Sequence, residues 1–451
     1  MTAARDVPSV EVSGWGLYPR GFSQLVEPET VSEVGRALDQ RGSIPRGLGR
    51  SYGDPAMNSG GQVMGLHRLD RFMNFDEATG TLQCEGGVSL ARIISAFGPR
   101  GFFPMITPGT KFVTVGGCIA NDVHGKGHHA QGSFARSVVS MRVLLADGSV
   151  VTASRTENED LFWASFGGMG LLGIVVEATI LLRKIETTYY RQKAIVVNDL
   201  EQMLDAFAET DSLYPYSVAY IDPIATGARL GRGVLTVGDH ARVEDLPAKL
   251  RSEPLRLSGG ALVGVPFELP SATLNPLTAR LVNGVIKTVL AKAGAIAHYE
   301  KFFYPLDAVA HWNRGYGPSG FTQYQFVIPM EGGRQVMRSI LEAIVSSGSL
   351  PFLNILKRMG AASGGHLSFP FEGYTFAIDF PIREGTAALT KRLDAMVREA
   401  GGRIYLGKDA FLDAATFSAM YPRLPEFRSI KAKYDPKTVF TSDLARRVGL
   451  V

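Results

Sequence analysis

The apolar positions of this chain change period several times, and the changes mark out its elements. In PETVSEVGRALDQRG, Val31, Val34 and Leu38 fall on one helical face, and Gly42 is expected to close the helix. Between Phe72 and Gly86 polar and apolar residues alternate as in strands. Ser89 stands where a helix cap belongs, ahead of Leu90, Ile93, Ile94 and Phe97 at i, i+3, i+4 and i+7, and Gly98-Pro99 ends that helix. VVSMRVLLA and SVVTA around Asp147-Gly148 read as a hairpin. A short helix from Asn158 to Phe166 and a long buried strand from Ile174 to Leu182 follow. Strands and helices mix without repeating βαβ units, so the predicted fold class is α+β.

After about Ile185 the character shifts. Longer alternating segments appear: Ser217 to Asp222, Thr322 to Ile328 and Tyr374 to Pro381. Helical patterns from Gly333 to Ser346 and from Thr386 to Ala400, each with a strand after it, predict a sheet covered by helices. The segment from Ala248 to Ala297 is poor in strands and carries an apolar helix near Leu281 to Ala291. It either faces lipid or is an ordinary exposed helix. From Asp413 onward a helix leads to a terminal segment that Asp435-Pro436 and Phe440 mark as docked.

Composition narrows the class. The 451 residues suggest two or three domains. With 45% hydrophobic and 20% charged residues the chain is that of an ordinary soluble protein, and a net charge of +4 without a basic block gives no sign of nucleic-acid binding. No apolar run is long enough for a membrane span, and the first residues lack the charged-then-apolar pattern of a signal, so no Sec export is expected. Two cysteines, Cys84 and Cys118, are too few for a disulfide framework or a cysteine metal site, and both read as buried small hydrophobes. His128 and His129 lack acidic or cysteine partners at ligand spacing, so no metal is expected.

Glycine is concentrated in two places. IPRGLGRSYGDPAMNSGG, Ile44 to Gly61, sets Gly47, Gly49 and Gly53 close to Arg46 and Arg50. Bare amides beside arginine hold a pyrophosphate well, although neither the Walker nor the Rossmann spacing is present. A surface turn is the alternative. ITPGTKFVTVGGCIANDVHGKGHH, Ile106 to His129, is an apolar run rich in small residues that ends in a Gly/His cluster. Such density of glycine serves either close backbone approach to a ligand or a tight buried turn.

RGLGRSYGD, PGTKFVTVGGCIANDVHGKGHH and DPKTVFTSDLARR together resemble the vanillyl-alcohol oxidase superfamily of flavin oxidases. LPAKLRSEPL, WNRGYGPSGFTQYQFVIP and GGRIYLGKDA extend the resemblance, over nearly the whole chain, to its polyprenylphosphoryl-ribose 2′-oxidase branch. The resemblance implies a two-part PCMH-type FAD-binding domain formed by residues 1–187 and the C-terminal segment 403–451. An antiparallel-sheet substrate domain, 188–402, would cap it. It implies FAD held non-covalently by Arg46, Gly47, Leu48, Gly49, Arg50, Ser51, Tyr52, Gly53 and Asp54, by Gly109, Thr114, Val115, Gly116 and Gly117, by His124, Gly125, Lys126 and Gly127, and by Ile174 and Tyr405. The implied reaction moves hydride from the ribose C2′ carbon to flavin N5, and an NAD(P)H-dependent short-chain reductase completes epimerisation to the D-arabinose donor of cell-envelope polysaccharide. The implied setting is cytoplasmic and peripheral to the inner membrane.

Individual residues carry two readings each. Lys408 matches a family active-site lysine that would polarise the sugar hydroxyl or the reduced ring; the alternative is a solvated charge. Tyr52 either hydrogen-bonds near the reacting centre or packs in the phosphate loop. Gln323 and Gln325 point to one strand face, where a sugar or flavin edge would satisfy them, unless that face is solvent. Lys357 would meet the lipid-linked phosphate, or lie on a helix face. Lys126 would approach substrate or ring. His124 resembles the position where relatives tether flavin, a link not expected in this branch. Ala377 stands where the family carries a cysteine trapped by nitroaromatic suicide inhibitors, Thr375 where it carries asparagine, and Tyr220 where relatives carry tryptophan. Free-sugar, alditol or aldonolactone oxidation is the alternative activity, and a flavin-binding scaffold without turnover is a third.

Overall fold

The expected elements form in a computed structural model that describes residues 8–258, 263–270, 273, 275–348 and 353–451. Three sheets organise it. The first is four-stranded, in spatial order Ser9–Ser13, Arg20–Val26, Gln62–Gly65 and Ser43–Arg46. The second runs Phe72–Asp76, Thr81–Glu85, Ile174–Lys184, Val138–Leu144 and Val150–Ser154, with Phe102–Pro104 pairing further along Ile174–Lys184. The local signals explain these turns. Asp147 accepts a hydrogen bond from the amide of Ser149 at 2.9 Å and Gly148 takes a φ of +85°, which closes the hairpin. The Ser89 hydroxyl accepts from the amide of Arg92 and starts the helix Leu90–Phe97, whose four apolar residues are all buried. The first helix, Val31–Ala37, ends well before Gly42, which instead takes a φ of +147° at the start of the next strand.

The third sheet is wholly antiparallel: Ile296–His298, Tyr189–Val197, Gly233–His240, Tyr216–Ile221, Asn354–Met359, Gly373–Pro381, Phe321–Pro329 and Arg403–Ile404. Its strands alternate, and both faces are covered. Phe326, Ile328, Phe376, Ile378 and Leu356 lie on one face in the main core, beneath helices Leu200–Thr210, Gly333–Ser346 and Thr386–Glu399. Each such side chain contributes roughly 1.5–3 kcal/mol by leaving water. The opposite face carries Gln323, Gln325, Thr375, Ala377, Ile355 and Lys357 and looks onto the first two sheets.

The C-terminal segment returns to the first sheet. Phe440 bridges in parallel to Ser43, and the Ser43 amide donates to the carbonyl of Val439 at 2.8 Å. Arg447 holds Asp54 through two bonds of 2.9 and 2.7 Å and reaches Asp409 at 2.8 Å. The tail therefore ties the glycine–arginine loop to the strand exit near Lys408. The helix expected near Leu281 spans Pro276–Ala291, capped by Asn275. Residues 259–262, 271, 272 and 274 of the segment thought to meet lipid lie outside the described residues. Among the described residues no helix is long and apolar enough to cross a membrane.

Candidate active site

Between the third sheet and the other two lies a cavity of about 430 Å³. One end is built from the loop after strand Ser43–Arg46. Leu48, Gly49, Arg50 and Ser51 line it, and among the described residues their amides donate to no other residue. Unspent donors in a loop are what an anionic ligand needs. Gly49 sits at φ +64°, and a Cβ there would meet the Arg46 guanidinium at 2.4 Å; at Gly47 it would meet the Thr114 hydroxyl at 2.3 Å. Arg46 is turned inward, donating to the carbonyls of Ser13 and Ala56, and burial pulls its pKa down to about 10. Arg50 lies 4.0 Å above the Trp15 ring. Gly53 lets the loop pass the C-terminal segment: a Cβ there would strike the carbonyl oxygen of Asp409 at 1.8 Å. Gly109, Gly116 and Gly117 line the cavity wall across from this loop, where helix Val115–Ala120 is capped by Thr114.

The other end is polar and ringed by lysines. The Lys408 ammonium donates to the side-chain oxygen of Gln323, and the Gln323 amide donates to Asp379 at 2.5 Å. Tyr316 donates to the second oxygen of Asp379 at 2.8 Å. Lys408 also lies 5.3 Å from the centre of the Tyr52 ring. Burial, and then the nearby Lys357 charge, pulls the Lys408 pKa down to about 7; burial pushes Asp379 up to about 6. Lys357 stands on a strand, not a helix, and makes no hydrogen bond or ion pair among the described residues; burial brings it to about 8. Tyr52 packs edge-on against Phe321, and burial lifts its hydroxyl well above the usual range.

His124 is buried beside Phe369 and Tyr405, and Gln325 lies against it. Tyr405 lines the cavity and donates through its hydroxyl to the carbonyl of Asn121 at 3.1 Å. Ala377 lines it too. The remaining sequence candidates divide between this wall and a second cleft. Val115 is in the core, and Ile174 is buried between Gly173 and Val175, which line the cavity. Gly125, Lys126 and Gly127 line a separate small cleft with Tyr216, and the Lys126 ammonium donates to the Phe302 carbonyl. Burial lowers Lys126 to about 7. Cys84 and Cys118 are buried, the first with its thiol pushed up to about 12. Asp379 was not among the sequence candidates. Its signal was an acid in the apolar run TFAIDFP, on the same face as Thr375 and Ala377.

An unspent amide loop with two arginines, glycines that bring backbone to the cavity, and a polar end fit a flavin dinucleotide. Residues 22–154 match the model of an FAD-binding domain, and residues 318–448 match that of D-arabinono-1,4-lactone oxidase. The molecule is an FAD-dependent oxidoreductase with a PCMH-type α+β fold. The chain is 39% identical over 451 residues to decaprenylphosphoryl-beta-D-ribose oxidase of Mycolicibacterium smegmatis, covering 97% of each chain, and it belongs to that family. It is 34% identical to an uncharacterised protein of Streptomyces coelicolor, over 80% of this chain and all of that one. It is 25% identical to L-gulono-1,4-lactone dehydrogenase of Mycobacterium tuberculosis, over 94% and 96%.

Proposed function

We propose that the chain oxidises the 2′-hydroxyl of a polyprenylphosphoryl-ribose to the ketone. Carrying this reading is Lys357, an ammonium on the cavity wall with no protein anion to meet it among the described residues. A phosphate diester would supply that anion. FAD, when bound, supplies the hydride acceptor. Lys408, its pKa pulled down to about 7, takes the hydroxyl proton as the free amine, and Gln323 keeps that nitrogen aimed. Tyr52 and Trp312 wall the sugar, and residues 46–54 hold the pyrophosphate. The substrate domain is 188–402, and 1–187 with 403–451 forms the flavin domain. The ketone then passes to an NAD(P)H-dependent reductase that delivers hydride to the other face. Replacing Lys357 by Gln should raise KM at least roughly tenfold for the phosphorylated lipid, the scale of one charged hydrogen bond. An unmoved KM would put the phosphate elsewhere.

The lipid half of such a substrate needs an apolar surface. On helix Pro276–Ala291, Leu277, Leu281, Val285 and Val289 are 62–67% exposed and stack at every fourth residue into one stripe. Asn283, half a turn round, accepts a bond from Tyr220 and anchors the helix to the sheet. We infer that this stripe rests on the cytoplasmic face of a membrane. Leu281→Asp with Val285→Asp should abolish sedimentation with liposomes while FAD content stays constant. Free aldonolactone oxidation is the second reading, favoured by the lactone-oxidase match over residues 318–448.

A further inference from the structure

Gln325, on strand Phe321–Pro329, has its amide nitrogen 3.0 Å from Nε2 of His124 and 3.0 Å from the hydroxyl of Thr375. The Thr375 hydroxyl itself lies 2.7 Å from the carbonyl oxygen of Phe326. A carbonyl only accepts, and a hydroxyl has one hydrogen. That hydrogen is spent on Phe326, so Thr375 can offer Gln325 only a lone pair. The amide must then turn its NH2 toward Thr375. The opposite orientation would ask one hydroxyl hydrogen to serve two acceptors. The second hydrogen of the same NH2 meets Nε2 of His124, which must therefore accept. A neutral imidazole carries a single hydrogen, and here it falls on Nδ1, a buried atom with no partner among the described residues. Charging the ring would set a hydrogen on Nε2 against the amide hydrogen. Burial, with the Lys357, His128 and Lys408 charges nearby, already holds the ring well below its usual pKa.

We propose that Thr375 is a positioning residue: acting through Gln325, it fixes His124 as the neutral Nδ1–H tautomer and occupies its Nε2 lone pair. His124 then has no free lone pair with which to take a proton. This consequence rests on the function proposed above and leaves Lys408 as the acceptor of the hydroxyl proton; the tautomer itself does not depend on any substrate.

The test is long-range proton–nitrogen correlation NMR on full-length, FAD-loaded protein with ring-¹⁵N histidine, with the His124 signals assigned by their loss in His124→Asn. Wild type and Thr375→Ser, which keeps the hydroxyl, should show hydrogen on Nδ1 and a pyridine-type Nε2. Thr375→Val frees the amide to turn and should move hydrogen to Nε2; Thr375→Ala serves if the valine variant does not fold. Hydrogen on Nε2 in the wild type, or an unmoved tautomer in the folded valine or alanine variant, would overturn the proposal. Since no substrate is added, a wrong substrate assignment leaves this result standing.

Discussion

Gln323 and Gln325 stand two residues apart on one strand face, yet they belong to different chemistry. Gln323 lies between the Lys408 ammonium and the Asp379 carboxyl, so its two ends serve a charged pair. Gln325 turns one NH2 to a histidine and a hydroxyl, both neutral. A glutamine amide has a donor end and an acceptor end and takes its role from what faces it. The first side is where a proton can move, because its groups titrate near neutrality. The second holds geometry, because nothing on it charges there.

The sharpest way to break this distinction is Lys408→Met. It should slow anaerobic flavin reduction roughly 10²–10⁴-fold, the scale of a lost general base, with FAD content unchanged. A rate within a factor of about two of wild type would remove Lys408 from the chemistry.

Asp379→Asn comes next. The neutral form of a lysine accumulates as pH rises, so the wild-type reduction rate should climb through about pH 7. The Asp379 charge raises the Lys408 pKa, so its removal should shift that midpoint to lower pH. The maximal rate should also fall roughly tenfold as Gln323 loses its anchor. A rate-against-pH profile with an unmoved midpoint would show that the charged side does not act as a pair.

Gln325→Leu is expected to behave differently: about 1–3 kcal/mol less stability from the unpartnered imidazole nitrogen, read as a lower Tm, and the same pH midpoint. A shifted midpoint would mean that the neutral side titrates after all.

The smallest effect belongs to Ala377, the register partner of Gln325. Ala377→Cys should leave turnover nearly unchanged while making the protein acquire mass from a nitroaromatic suicide inhibitor; the wild type should stay unmodified by intact mass spectrometry.

Much of this arrangement was legible beforehand, and the gaps have physical causes. Alternation placed Gln323 and Gln325 together, because period two needs no tertiary knowledge. Asp379 was missed because its pairing opposite Gln323 is a matter of register between strands fifty-six residues apart. Lys357 was ambiguous because in NILKRM the apolar Ile355 and Leu356 are adjacent, as are the polar Lys357 and Arg358, so the sequence shows no period-two alternation. Gly53 read as part of a pyrophosphate-holding loop, with a surface turn as the alternative; its passage beside Asp409 depends on a segment that arrives from the far end of the chain. The exposed stripe of Leu277 to Val289 is visible as spacing, but only the fold shows which face the sheet leaves uncovered.

The central claim is that this cavity brings a phosphorylated sugar lipid to Lys408 beside bound FAD. Its most direct test is anaerobic titration of the FAD-loaded protein, followed by visible absorbance, with polyprenylphosphoryl-ribose in one cell and D-arabinono-1,4-lactone in another. The account predicts full loss of the oxidised flavin band with the lipid and none with the lactone. Loss with the lactone alone would contradict it.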